Sequence, residues 1–80
     1  MTISIKYFGL VADITQRKVE ILSFEEAAQS LQFIQSQLEE KYPEIKNTSY
    51  SFAVNQTLVK EDFVLSHNDE MALLPPFAGG

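Results

Sequence analysis

Ala27, Leu31, Ile34, Leu38 and Tyr42 recur at steps of four, three, four and four. That spacing lays one apolar stripe along roughly 17 residues of helix at ~3.6 residues per turn. Ser23 and Glu26 form an S-x-x-E capping box at its start, and Pro43 cannot continue the helix at its end. A single stripe needs a partner surface. The remaining apolar residues alternate with polar ones, so the helix must lie across one face of a sheet. The expected class is therefore α+β.

Ile3, Ile5 and Tyr7 alternate with Thr2, Ser4 and Lys6, the period of a half-buried strand, and Gly9 ends it. Residues 10–16 fit a short helix or a loop. Residues 17–22 read as a second strand, with Val19 and Ile21 facing opposite to Lys18 and Glu20. Tyr50, Phe52 and Val54 alternate in a third strand that ends in the turn-capable pair Asn55-Gln56, with Leu58-Val59 as a short return. Phe63-Val64-Leu65 leads into a polar turn in which Asn68 can take positive φ. Glu70-Met71-Ala72-Leu73-Leu74 lacks clear alternation and predicts a central strand buried on both faces. If that strand lies parallel to the first, the plan is a β-grasp roll: a mixed sheet covered by one long helix, over residues 1–74. Residues 75–80 are expected to form an extended tail.

Eighty residues suit one core, and 45% hydrophobic with 21% charged residues is a globular balance. Six basic against eleven acidic residues give a formal charge of −5, which repels nucleic-acid phosphate. Residues 24–80 hold three bases and nine acids, so a basic partner suits that part. The absence of cysteine excludes disulfides and thiol chemistry. No secretory signal pattern and no apolar run of ~18 residues is present, so a cytoplasmic protein without membrane contact is expected. His67 is the sole histidine and sits in a predicted turn, a poor position for a metal site or a base. There is no Gly-rich phosphate loop and no nucleophile elbow. The chain is not expected to be an enzyme by itself, nor to bind a metal or cofactor of its own.

The segment Leu74-Pro75-Pro76-Phe77-Ala78-Gly79-Gly80 carries the chemistry. Pro75 and Pro76 lack amide protons and fix φ, so they end the strand and send the chain outward. Six residues at up to ~3.5 Å each carry the terminal carboxylate about 20 Å from the sheet. Phe77 suits a partner's pocket. Gly79 and Gly80 lack side chains, so the backbone fits a narrow channel and exposes its last carbonyl carbon. A carboxylate with pKa near ~3.5 is ionised and unreactive at neutral pH, so acyl transfer needs activation, for example as an acyl-adenylate made by a partner.

From Ala53-Val54-Asn55-Gln56-Thr57-Leu58-Val59 through Asp69-Glu70-Met71-Ala72 to Pro75-Pro76-Phe77-Ala78-Gly79-Gly80, the chain resembles MoaD, the small-subunit family of molybdopterin synthase, a family of ubiquitin-like sulfur carriers. The strand Ile3–Phe8 is similar too. The resemblance implies that an ATP-using adenylyltransferase of the ubiquitin-activating type (MoeB) adenylates Gly80, and that a sulfur donor converts the adenylate to a thiocarboxylate. The tail then enters the large subunit (MoaE), where catalysis resides. Sulfur passes there to cyclic pyranopterin monophosphate in molybdenum cofactor biosynthesis, within a heterotetramer. His67-Asn68 stands where the family often has Asp-Gly, and Leu73-Leu74 where aromatic residues are common. A related carrier for thiamine synthesis or tRNA thiolation, or a ubiquitin-like modifier joined to lysines, remains an alternative.

Overall fold

Alternation at Ile3, Ile5 and Tyr7 becomes strand β1 (Thr2–Tyr7) in the computed structural model, which describes residues 1–75. All three side chains are buried. A short helix α1 (Gly9–Thr15) follows, closed by Gln16 in the left-handed region at φ 57°. Strand β2 (Val19–Ser23) returns antiparallel to β1. Strand β3 (Ala28–Ser30), helix α2 (Leu31–Lys41) and a 3-10 turn (Pro43–Asn47) come next. Strands β4 (Ser51–Val54), β5 (Thr57–Leu58), β6 (Val64–Ser66) and β7 (Glu70–Leu74) complete the order.

The main sheet runs β2-β1-β7-β4-β5, and β3 pairs with β6 in a second small sheet. Strand β7 lies at the centre, parallel to β1 and antiparallel to β4. Leu31, Ile34 and Leu38 of α2 pack on the inner face against Ile3, Ile5, Met71 and Leu73. Ile45, Leu65 and Val11 close the ends of this core. Asn55 and Gln56 take φ of 51° and 70°, the paired left-handed geometry of a tight hairpin turn, and Asn68 takes 69°. This is the expected α+β arrangement of a β-grasp roll.

Three expectations are corrected. The helix begins at Leu31, not beside Ser23, and spans 11 residues. Its cap is Ser30, whose Oγ accepts from the Phe33 amide at 3.1 Å. The supposed capping box is otherwise engaged: Ser23 Oγ shares a hydrogen bond with Thr2 Oγ1 at 3.1 Å, and Glu26 Oε1 accepts from Gln29 Nε2 at 2.8 Å. Pairing of Ala28–Ser30 with Val64–Ser66 takes the backbone that the longer helix would have used, and Ala27 is exposed.

The faces of β2 are also reversed. Val19 and Ile21 point outward, while Glu20 is buried at 6% exposure. Glu20 is tolerated inside because Tyr7, Tyr42 and Lys41 donate hydrogen bonds to it. Finally, β7 does alternate in burial. Met71 and Leu73 are buried, whereas Glu70, Ala72 and Leu74 remain partly exposed on the outer face.

Candidate functional site: the chain exit and the outer sheet face

Strand β7 delivers the chain to Pro75, which is exposed and ends the ladder because it has no amide proton. Pro75 leaves beside Gly9, the first residue of α1, whose φ is +56°. A Cβ added at Gly9 would lie 3.4 Å from the Pro75 Cβ. The left-handed backbone there favours glycine, and the bare Cα leaves the proline ring unhindered. Of the residues singled out in the tail, Pro75 stands where the sequence placed it, at the end of the last strand. Pro76, Phe77, Ala78, Gly79 and Gly80 lie outside the described residues.

Of the grooves lined by Phe8, two concern the exit and the outer face of the sheet. One, of about 320 Å³, is lined by Phe8, Leu10, Val11, Thr48 and Pro75 among others. The other, of about 380 Å³, lies on the outer face of the sheet between Phe8, Lys6, Ala53, Leu58, Ala72 and Leu74. The register explains the second groove. Val19 pairs with Lys6, Lys6 with Ala72, Ala72 with Ala53 and Ala53 with Leu58, so these five side chains form one row across the sheet. Alanines at the middle of the row keep its floor low, while Leu58 and Phe8 stand at its margins at 58% and 43% exposure. Lys6 Nζ sits 3.2 Å from Glu70 Oε1 on the same face. That pair is half-exposed and contributes little to stability. An apolar groove with a polar rim is suited to a protein partner.

Sequence reasoning missed this face. Its signal was present in the weak alternation of residues 70–74. Apolar residues on both sides of β7 predict double burial, but the second side is left open.

His67 is committed to local structure. Its Nδ1 accepts from the Thr2 amide at 2.9 Å, while the Asn68 amide donates to the Thr2 carbonyl at 2.8 Å. Among the described residues no three His, Cys, Asp or Glu side chains converge to hold a metal ion. No helix among them is long and apolar enough to cross a membrane.

The buried titratable cluster lies on the inner side of the sheet, between β1, β2 and the end of α2. Burial pushes the Glu20 carboxyl up, but hydrogen bonds from Lys41, Tyr7 and Tyr42 together outweigh it and hold the group below its ordinary range. Burial and the Glu20 carboxylate push the Tyr7 hydroxyl far up. This cluster ties β1, β2 and α2 together.

The sequence profile of the ThiS family matches residues 5–80. The fold resembles that of a molybdopterin converting factor subunit 1 from Pyrococcus furiosus, with a TM-score of 0.86 and 17% identity over 96% of this chain and 99% of that one. It also resembles small archaeal modifier protein 1 from Methanosarcina acetivorans, with a TM-score of 0.79 and 20% identity over 99% and 96% of the two chains. A structure of the complex of subunits 1 and 2 of molybdopterin-converting factor from Helicobacter pylori 26695 matches with a TM-score of 0.70 and 23% identity, covering 100% of each chain. These likenesses establish the ubiquitin-like β-grasp fold, and the profile match over nearly the whole chain establishes kinship: the chain belongs to the ThiS family.

Proposed function

We propose that this chain is a sulfur carrier and the small, non-catalytic subunit of a molybdopterin synthase, with Gly80 as its reacting residue. The observation that carries the reading is the exit at Pro75 from the central strand, with apolar grooves lined by Phe8 at the exit and on the outer face of the sheet. A rigid body, a docking face and a directed end are the parts such a carrier needs. Membership of the ThiS family through residue 80 supports it, as does likeness to a subunit of a two-subunit converting factor.

In the proposed reaction the Gly80 carboxylate oxygen attacks the α-phosphate of ATP on an adenylyltransferase of the ubiquitin-activating type. Pyrophosphate leaves and an acyl-adenylate remains. Hydrosulfide supplied by a sulfur donor then attacks the carbonyl carbon, the C–O bond to AMP breaks, AMP leaves with that oxygen, and loss of the S–H proton gives the thiocarboxylate. Pro75, Pro76, Phe77, Ala78 and Gly79 thread the end into the large subunit, where sulfur is transferred to cyclic pyranopterin monophosphate. Small residues at 78–80 suit a narrow passage. The outer face around Phe8 and Leu58 seats the large subunit.

A second reading, a modifier joined to target lysines through Gly80, draws support from the likeness to small archaeal modifier protein 1. One experiment separates the two. The full chain is incubated with an adenylyltransferase, ATP and a sulfide source, and its intact mass is measured. Exchange of one oxygen for sulfur at Gly80 is expected, followed by molybdopterin formation when the large subunit and precursor are added. Lysine adducts without sulfur exchange would favour the modifier. Sulfur exchange without molybdopterin would point to a carrier for thiamine or tRNA thiolation. Deletion of Gly79-Gly80 should abolish product, and Leu58→Asp should weaken capture by the large subunit without lowering the melting temperature.

A further inference from the structure

The two edges of the main sheet are not protected alike. Strand β5 is only two residues long, a length that offers an intruding strand almost nothing. Strand β2 runs for five residues, Val19-Glu20-Ile21-Leu22-Ser23, with no proline, no glycine and no lysine. Its one charged side chain, Glu20, is turned into the core and satisfied there by Tyr7, Tyr42 and Lys41, so the outer face of the strand carries no charge.

The backbone of that edge is open. The Tyr7 amide donates to the Lys18 carbonyl at 2.9 Å, which makes Tyr7/Lys18, Ile5/Glu20 and Ile3/Leu22 the hydrogen-bonded pairs of the β1–β2 ladder. Val19, Ile21 and Ser23 therefore direct their N–H and C=O groups away from β1, and no strand lies beyond β2 among the described residues. The side chains of Val19 and Ile21 are 49% and 60% exposed on the outer face. Beneath the edge a groove of about 390 Å³ runs between β2 and α2, lined by Leu22, Phe24, Leu38 and Lys41 among others.

From this geometry we infer that β2 is a pairing edge whose occupant is β2 of a second copy of the chain, antiparallel about a two-fold axis at Ile21. In that register Ile21 faces Ile21 of the second copy, Val19 faces its Ser23, and each facing pair exchanges two backbone hydrogen bonds. Val19 and Ile21 of both copies then gather into one apolar cluster across the seam. Charge selects this register. Arg17 precedes β2 and Glu25 follows it, so antiparallel pairing sets each Arg17 against the Glu25 of the other copy, twice by symmetry. A parallel arrangement would instead stack like on like. The tail exit and the groove around Leu58 lie on the other side of β1 and stay free, giving two exits per pair.

Such a seam is smaller than the ~1,200 Å² of a standard interface, so it forms a weak dimer. Sedimentation velocity on the full chain, from about 5 μM to 1 mM, should show the mean mass rising toward twice the monomer, with a Kd on the order of 10⁻⁵ to 10⁻⁴ M. The amides of Val19, Ile21 and Ser23 should gain exchange protection over the same range. Ile21→Lys should hold the chain monomeric with its melting temperature unchanged. Arg17→Glu should weaken association several-fold, and Arg17→Glu combined with Glu25→Arg should restore it. A monomer throughout, a dimer indifferent to Ile21→Lys, or a double exchange that fails to restore association would each overturn the inference. Loss of large-subunit capture by Ile21→Lys in a chain that never dimerises would assign the edge to a different protein. None of these outcomes depends on sulfur transfer.

Discussion

The hydroxyl of Tyr7 donates to Glu20 Oε1 at 2.8 Å across the buried side of the β1–β2 ladder. Tyr42 donates to the same oxygen at 2.9 Å, and Lys41 reaches Oε2. A carboxylate at an inward position would be strongly destabilising without these donors. With them it joins two strands to the end of α2, and it turns Val19 and Ile21 out to solvent.

Glu20→Gln should lower stability by about 1–3 kcal/mol, because the amide sets donors against Lys41 and loses the charge that strengthens both tyrosine bonds. The half-exposed Lys41 rehydrates, so its share of that loss is small. The pH dependence follows from the lowered carboxyl. The Glu20 contribution is present above the ordinary carboxyl value and disappears as pH falls through the lower folded one. Urea midpoints of the two proteins should differ clearly at neutral pH and converge in acid; an equal gap at both would rule out a charge-based role.

All three tyrosines are held protonated beyond their ordinary range. Burial, then the hydrogen bond to Glu39, pushes Tyr50 up to about 12. Their stabilisation is complete below the unfolded value near ~10 and is lost as pH rises above it. The chain has no tryptophan, so tyrosinate absorbance reads them directly. The folded protein should show no ionisation step at the ordinary tyrosine value, and its main rise should accompany alkaline unfolding. A free tyrosine step in a folded sample would contradict this.

Ser30→Ala removes the oxygen that caps α2 and should cost about 1 kcal/mol, or roughly 4–8 °C in melting temperature. Ser23→Ala, at the letter-perfect but unused box, should stay within about 0.5 kcal/mol of wild type. Thermal melts of the pair decide which serine starts the helix.

Gly9→Ala forces a Cβ into left-handed backbone and against Pro75, at a cost of about 1–2 kcal/mol. Asparagine accepts that backbone more readily, so Gly9→Asn should be milder. Melting temperatures in the order glycine, asparagine, alanine are expected, and equal values would show that this corner carries no backbone constraint.

Local patterns were legible where a single segment decides its own structure. Ile3, Ile5 and Tyr7 announce β1, and Asn55-Gln56 announces its hairpin. The start of α2 was not legible, because Ala28–Ser30 is claimed by Val64–Ser66 from far along the chain. Polarity misled at Glu20 for the same reason: its donors come from β1 and from the end of α2, and no window around residue 20 contains them. At the candidate site, Pro75 was readable as the strand's end. The groove beside it was not, since it takes Phe8, the hairpin residues Ala53 and Leu58, and Ala72 from three separate stretches.

Because β7 is bonded on both flanks, to β1 in parallel and to β4 in antiparallel, a pull applied at Pro75 loads both ladders lengthwise at once. Bonds loaded in that direction yield together in shear, whereas those of an outer strand peel one at a time. A body held by this end therefore sets two ladders, rather than one, against unravelling.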